Sequence, residues 1–334
     1  MNKANVVVIT GASAGVGRAA VRRFAAGGAD VALVARGAAG LEAARAEVEA
    51  LGRRALVLPL DVADAKAVED AAARVEDTLG PIDVWVNDAM TTCFGEFLAI
   101  EPDEFKRATE VSYLGYVYGT RAALERMLPR DRGTVVQVGS ALAYRSIPLQ
   151  SAYCGAKHAI RGFTDSLRCE LRHHSSNVWL TMVQMPALNT PQFGWCENKM
   201  SRASQPVPPI YQPEVAAEAI WYAAHHRRRE INVGAPTAVI VPGNKLLPGV
   251  GDWYLGRTGY ASQQRDAPPS SPGGGNLWQP RDAERDHGAR GRFDRRAHGR
   301  SPELWASTHK GAVALLAAGA SALGALALVG SRLR

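Results

Sequence analysis

Short apolar runs punctuate the first 240 residues, and they do not alternate with polar positions. Val6–Ile9, Val31–Ala35, Ala55–Leu60, Val84–Val86, Thr134–Val138 and Val178–Val183 are rich in Val, Ile and Leu, and a seventh run is expected at Thr237–Val241. Successive side chains on a strand point to opposite faces, so an uninterrupted apolar run suits a strand buried on both. Between these runs lie longer segments of helical period: Ala38–Leu51, Asp64–Leu79, Glu104–Met127, Ala152–His173 and Pro213–His225. Strand–helix alternation sustained over seven strands predicts a doubly wound α/β fold, with a parallel seven-stranded sheet covered by helices on both faces.

The pattern stops near residue 260. Residues 261–303 carry Pro268, Pro269, Pro272 and Gly273–Gly275, then many Arg and Asp. So few apolar residues cannot offset chain entropy, which predicts a disordered basic linker. Beyond it, residues 311–330 form a 20-residue stretch without a charge. At 1.5 Å per residue a helix there spans about 30 Å, the thickness of a hydrocarbon core. Its Ala and Gly make insertion marginal; the rival reading is an Ala-rich helix lying on the protein or on a membrane surface. The expected organisation is a nucleotide-binding domain at 1–259, a linker at 260–303 and a membrane-anchoring helical tail at 304–334.

Charge changes this picture little. The net charge is +7, but residues 260–334 hold 11 Lys+Arg against 6 Asp+Glu, so most of the excess lies outside the main domain. That domain is no candidate for nucleic acid. The run Val6–Ile9 is too short for the core of a signal peptide, which predicts a cytoplasmic domain, tethered to the cytoplasmic side of a membrane by its tail. Cys93, Cys154, Cys169 and Cys196 are scattered and show no metal-site or disulfide spacing.

The first strand leads into Thr10-Gly11-Ala12-Ser13-Ala14-Gly15-Val16-Gly17, followed by a helix. In that context the glycines let a backbone turn approach a pyrophosphate, whose charge faces the amides of the helix N-terminus. This makes the fold Rossmann-type and assigns Thr10, Gly11, Ser13, Ala14, Gly15, Val16 and Gly17 to a dinucleotide. The second strand ends at Ala35-Arg36, where an acidic residue would hold the adenosine 2′-hydroxyl. A guanidinium there pairs with a 2′-phosphate instead, predicting NADP(H) in preference to NAD(H). Asp61 and Val62, after the third strand, are placed to reach the adenine, with helix capping as the competing role of that region.

Four spaced features resemble the classical short-chain dehydrogenase/reductase family over residues 4–245: the glycine turn at 10–17, Asn87-Asp88-Ala89-Met90, Ser140, and Tyr153-x-x-x-Lys157. Tyr153 and Lys157 lie one helical turn apart and share a face. An ammonium beside a phenol favours the phenolate, so Tyr153 is expected to exchange a proton with an alcohol or carbonyl oxygen while hydride moves to or from the nicotinamide. Ser140 would fix that oxygen. The resemblance further implies that Lys157 holds the nicotinamide ribose, that Asn87 and Ala89 border the cofactor, and that Pro186 and Thr190 sit by the carboxamide. It also implies that Ser112 stands where the family often has a relay Asn, and that the protein forms homodimers or homotetramers.

Two departures, Asp88 and Ser112, leave open a nucleotide-binding regulatory or scaffold protein with little turnover. The stretch Leu188–Pro209, with Phe193, Trp195 and Met200, lies where the family places its substrate lid, and suggests a hydrophobic alcohol or ketone. The expected function is hydride transfer between NADP(H) and an alcohol/carbonyl pair.

Overall fold

The computed structural model describes residues 6–269 and 275–314. Its main sheet has seven parallel strands: β1 (Val6–Thr10), β2 (Asp30–Ala35), β3 (Ala55–Pro59), β4 (Val84–Asn87), β5 (Thr134–Ser140), β6 (Trp179–Met185) and β7 (Glu230–Asn232). They lie in the order β3-β2-β1-β4-β5-β6-β7. Strand order reverses between β1 and β4, where Val7 pairs with Val31 on one side and Val84 on the other. A crevice opens beyond the carboxyl ends of these strands, the usual ligand position in such a sheet.

The pleat of β1 explains its unbroken apolar run. Val7 and Ile9 face one core with Leu33, Phe24 and Leu41, while Val6 and Val8 face a second core with Val34, Val75 and Met127. The first core is closed by α1 (Gly15–Ala26), α2 (Ala38–Ala50) and α7 (Pro213–His225). The second lies under α3 (Ala65–Thr78) and α5 (Gly115–Met127), and α6 (Ser151–His173) packs nearby. Each fully buried aliphatic or Phe side chain contributes about 1.5–3 kcal/mol. The expected helix at 104–127 is two: α4 (Pro102–Thr109) and α5, joined by a π-helical turn at Glu110–Leu114.

Two expectations are corrected. Thr237–Val241 is not the seventh strand; it lies in α8 (Ala235–Leu246), which Gly234 precedes and Pro236 opens in its first turn. The edge strand is Glu230–Asn232, whose single apolar residue, Ile231, gives no strand-length run. An edge strand needs burial on little more than one side chain, so the hydrophobic pattern missed it.

The segment expected as a disordered linker differs as well. Beyond α9 (Pro248–Ser262), Gln264–Arg265 pairs antiparallel with Ala203–Ser204, and Ala297–His298 pairs parallel with Ile210–Tyr211. The described residues 275–298 lie across the main domain as a strap, with Leu277 and Ala289 buried and Phe293 nearly so. A few widely spaced apolar anchors hold it, and hydrogen bonds to the domain satisfy its backbone: Phe293 donates its amide to Asn189 Oδ1 at 2.9 Å and Gly291 donates to Asn189 O at 3.1 Å. Composition counts neither. After it, α10 (Pro302–Thr308) is anchored by Leu304. Among the described residues no helix is long and apolar enough to cross a membrane. The tail at 311–330 falls almost wholly outside them.

Candidate active site

Thr10 ties the ends of β1 and β4 together. Its Oγ1 accepts from the amides of Asp88 at 3.0 Å and Ala89 at 3.1 Å and donates to Val86 O at 3.4 Å. That hydroxyl therefore builds the floor of the crevice. Gly11 follows with φ +75°, a left-handed conformation that glycine adopts without strain, and a Cβ there would stand 3.0 Å from Ala89 N. At Gly17 a Cβ would overlap the Gly11 carbonyl, so the third glycine sets how tightly α1 approaches the turn.

Above the turn runs a cavity of about 510 Å³. Arg36, Asp61 and Val62 line one end; Gly11, Ser13, Ala14, Gly15 and Val16 line the middle with Ala89 and Met90; Ser140, Tyr153, Lys157, Pro186 and Thr190 line the far part. A long trough with a bare-backbone turn at its centre fits an extended dinucleotide.

Several expected contacts are used within the chain instead. The Gly15 amide donates to Gly288 O of the strap at 3.2 Å, and the Gly17 amide faces the Asp88 carboxylate. Neither is a free phosphate donor. Asn87 is buried and faces the scaffold: its amide donates to Gln137 Oε1 at 2.9 Å and Thr120 Oγ1 at 3.1 Å and accepts from Trp85 Nε1 at 2.9 Å. Asp61 forms an ion pair with Arg107 and accepts from Ala63 N at 3.0 Å, which diverts its carboxylate from the adenine. The Arg36 guanidinium donates to three strap carbonyls: Leu277 O at 3.3 Å, Trp278 O at 3.1 Å, and Asn276 O.

Ser140, Tyr153 and Lys157 are brought together as expected. Ser140 ends β5, its Oγ accepting from Leu142 N at 3.1 Å, and it faces Tyr153, in the first turn of α6, closely enough to favour the phenolate. Burial pushes the Tyr153 phenol well up, and the Ser140 hydroxyl opposes the rise. The expected lowering by Lys157 is not seen. Its Nζ lies 5.5 Å from the Tyr153 ring centre and donates instead to Val138 O at 2.7 Å and the Tyr116 hydroxyl at 3.0 Å. Burial lowers the Lys157 ammonium, and the Asp88 charge opposes this.

Ser112 also differs from expectation. Its Oγ donates to Thr91 O at 2.6 Å and accepts from Thr91 N at 3.0 Å, pinning the π turn to the segment after β4. A hydroxyl spent on both backbone groups is poorly placed to hold a relay water. Tyr116, one turn further along the helix, is the residue that meets Lys157. Sequence reading missed it because a buried aromatic at helical spacing reads as core. It also missed the strap residues, since nothing in a polar stretch marks which backbone carbonyls will find an arginine.

Past Tyr153 the cavity turns apolar, lined by Leu142, Ile147, Phe193, Trp195, Val207 and Tyr254. Of the expected lid residues, Met200 packs with Phe94, Leu149 and Cys196. The lid is sewn down by Glu197–Asn198, which pairs with Cys93–Phe94.

Comparison with known proteins agrees with this geometry. The family model for short chain dehydrogenases matches residues 5–198. An uncharacterized oxidoreductase of Bacillus subtilis (YxnA) is 33% identical over 81% of this chain and 76% of its own. A 3-dehydrosphinganine reductase of Danio rerio is 34% identical over 64% of this chain, which spans 66% of that protein's length. Among solved structures, an alcohol dehydrogenase from the archaeon Thermococcus sibiricus, complexed with 5-hydroxy-NADP, superposes with a TM-score of 0.60 at 27% identity, covering 69% of this chain and 95% of that one. A family match over more than half of the chain, and a relative alike across four fifths of it, make this protein a member of the short-chain dehydrogenase family.

Proposed function

We propose that the protein transfers hydride between a nicotinamide dinucleotide and an alcohol/carbonyl pair, with Tyr153 as the proton donor and acceptor. The observation that carries this reading is that Ser140, Tyr153 and Lys157 line one trough together with the glycine turn and an apolar end. When bound, the dinucleotide supplies or accepts the hydride. The chain's own groups do the rest. Ser140 orients the substrate oxygen, Tyr153 exchanges a proton with it, and the Lys157 ammonium is held beneath by Val138 O and Tyr116. A phenol raised by burial donates its proton poorly until a developing alkoxide draws on it, which favours the carbonyl-reducing direction near neutral pH.

Arg36 favours NADP(H) at the adenosine end, because a guanidinium suits a 2′-phosphate, which would take it over from the strap carbonyls it now serves. The apolar end suits a hydrophobic ketone, and the Danio rerio relative is named as a reductase. The test is consumption of NADPH or NADH with ketones of increasing chain length. Tyr153→Phe should lower turnover by about 10²-fold or more while dinucleotide affinity is kept. Full activity of that variant would refute the mechanism.

Attachment to the cytoplasmic side of a membrane through residues 311–330, and assembly as a homodimer or homotetramer, belong to the same proposal. Removing 311–334 should move the protein from the membrane to the supernatant fraction, and light scattering reads the assembly.

A further inference from the structure

The strap delivers a carboxylate to the adenosine end of the trough. Asp282 is 3% exposed and lines the cavity, and its Oδ2 is buried with no hydrogen-bond partner among the described residues. Leaving a charged oxygen buried and unpaired is costly, so such an atom marks a place where a donor is due.

Its surroundings say which donor. The Asp282 carboxyl lies against the bare backbone of Gly37 and Gly40: a Cβ at Gly37 would overlap it, and one at Gly40 would stand 2.5 Å from Oδ2 and 2.8 Å from Ser13 Cβ. The strap is held in register there, since the Gly40 amide donates to Asp282 O and the Ala39 amide to Ala283 O, both at 3.2 Å. Ser13 belongs to the phosphate turn, and Gly37 follows Arg36 at the end of β2. In a sheet of this kind the adenosine ribose lies between these two loops, where an acid accepts its 2′-hydroxyl and a base accommodates a 2′-phosphate.

At the carboxyl end of β2 this chain has a base, Arg36, and no acid. Asp282 returns the acid from a segment more than two hundred residues away. Meanwhile Arg36 already serves the carbonyls of Asn276, Leu277 and Trp278, and Asp282 is one of the charges that support its guanidinium. A 2′-phosphate would therefore face a carboxylate in its space and an arginine already engaged. A 2′-hydroxyl would face an acceptor in want of a donor.

We propose that Asp282 is a specificity-determining residue for the dinucleotide: its carboxylate accepts the adenosine 2′-hydroxyl of NAD(H) and opposes the 2′-phosphate of NADP(H), offsetting Arg36. The proposal rests on the dinucleotide reading above, but it makes discrimination a balance between two residues and not the work of Arg36 alone.

The experiment measures dissociation constants of NADH and NADPH by fluorescence titration for the wild-type full chain, Asp282→Asn, and Asp282→Asn combined with Arg36→Ala. Asp282→Asn should shift the affinity ratio at least tenfold toward NADPH, with NADH binding weakened. The combined variant should lose the gain for NADPH, because with the carboxylate gone Arg36 is the remaining charge that favours a 2′-phosphate. Thermal unfolding of each variant, followed by circular dichroism, checks that it is folded; should the asparagine variant not fold, Asp282→Ser removes the same charge and is read the same way. A ratio within twofold of wild type, or equal loss for both dinucleotides as a merely structural Asp282 would give, overturns the proposal while the dinucleotide reading stands. Failure of the wild type to bind either dinucleotide overturns both.

Discussion

Lys157 and Tyr116 converge on one carbonyl. The ammonium donates to Val138 O at 2.7 Å, the Tyr116 hydroxyl donates to the same oxygen at 3.1 Å, and the ammonium also reaches the hydroxyl at 3.0 Å. Two helices and the end of β5 are locked around a buried charge by three hydrogen bonds. Buried charges are tolerated when paired and bonded in this way.

Tyr116 is thus a positioning residue for Lys157. Tyr116→Phe keeps the ring, whose centre lies 4.7 Å from Nζ, and removes one acceptor. A hydrogen bond to a charged group contributes about 1.5–3 kcal/mol, so a fall in kcat of about tenfold is expected. With less support for its charge, Lys157 should lose its proton at lower pH, and the alkaline limb of the kcat profile should move down. A variant altered only in stability would keep the profile.

The Asp88 charge acts on the same ammonium. Burial pushes its carboxyl up, while the Lys157 charge and the Gly17 amide oppose the rise. Asp88→Asn removes a charge that favours the ammonium, so the alkaline limb should move to lower pH by about one unit, with kcat at low pH little changed. The sign for stability is opposite to that of an ordinary surface Asp. A carboxyl raised in the folded state stabilises most below its unfolded value, near 3.8, and that contribution fades as pH rises through the folded value. The asparagine variant should therefore gain most over wild type above neutrality, which thermal melts across a pH series would read.

The sheet and the placing of Ser140, Tyr153 and Lys157 on one cavity were legible in sequence for a physical reason. Strands β1, β2, β4, β5 and β6 are buried on both faces and β3, though a half-buried edge, is apolar throughout, so their apolar runs are long, and Ser140, Tyr153 and Lys157 are held by backbone elements whose spacing is local. The misses share a cause too. Strand β7 is an edge with one apolar residue. Ser112 and Asn87 looked available because sequence shows a polar side chain but not the backbone or buried network that consumes it. The strap is set by contacts such as Arg36 with Trp278 O, far apart in the chain, which composition cannot register.

Glu47 tests how firmly the bed of the strap is built. Arg18, 1% exposed, donates from Nη1 to Gly40 O at 2.7 Å and Ser13 O at 3.2 Å, joining the glycine turn to the start of α2. Its Nε pairs with Glu47 Oε2 at 2.7 Å, and Arg22 grips the same carboxylate with Nε and Nη2, both at 2.6 Å. Burial alone would raise the Glu47 carboxyl, but the bonds from Arg22 and Arg18 outweigh it and hold it at about 2. A carboxyl lowered on folding stabilises above its unfolded value, near 4.5, and that contribution is lost as pH falls toward 2. Glu47→Gln should cost about 1–2 kcal/mol at pH 7, since it leaves the buried Arg18 with only the longer pair to Asp286 at 3.4 Å, discounted for the partial exposure of Glu47. Urea unfolding at a series of pH values should show this gap intact down to about pH 5 and closing below it. A gap that stays constant across that window would mean the Glu47 carboxylate is not what holds Arg18, and that the turn is fixed by the carbonyls of Gly40 and Ser13 with Asp286 Oδ1 of the strap, 3.4 Å from Arg18 Nη1.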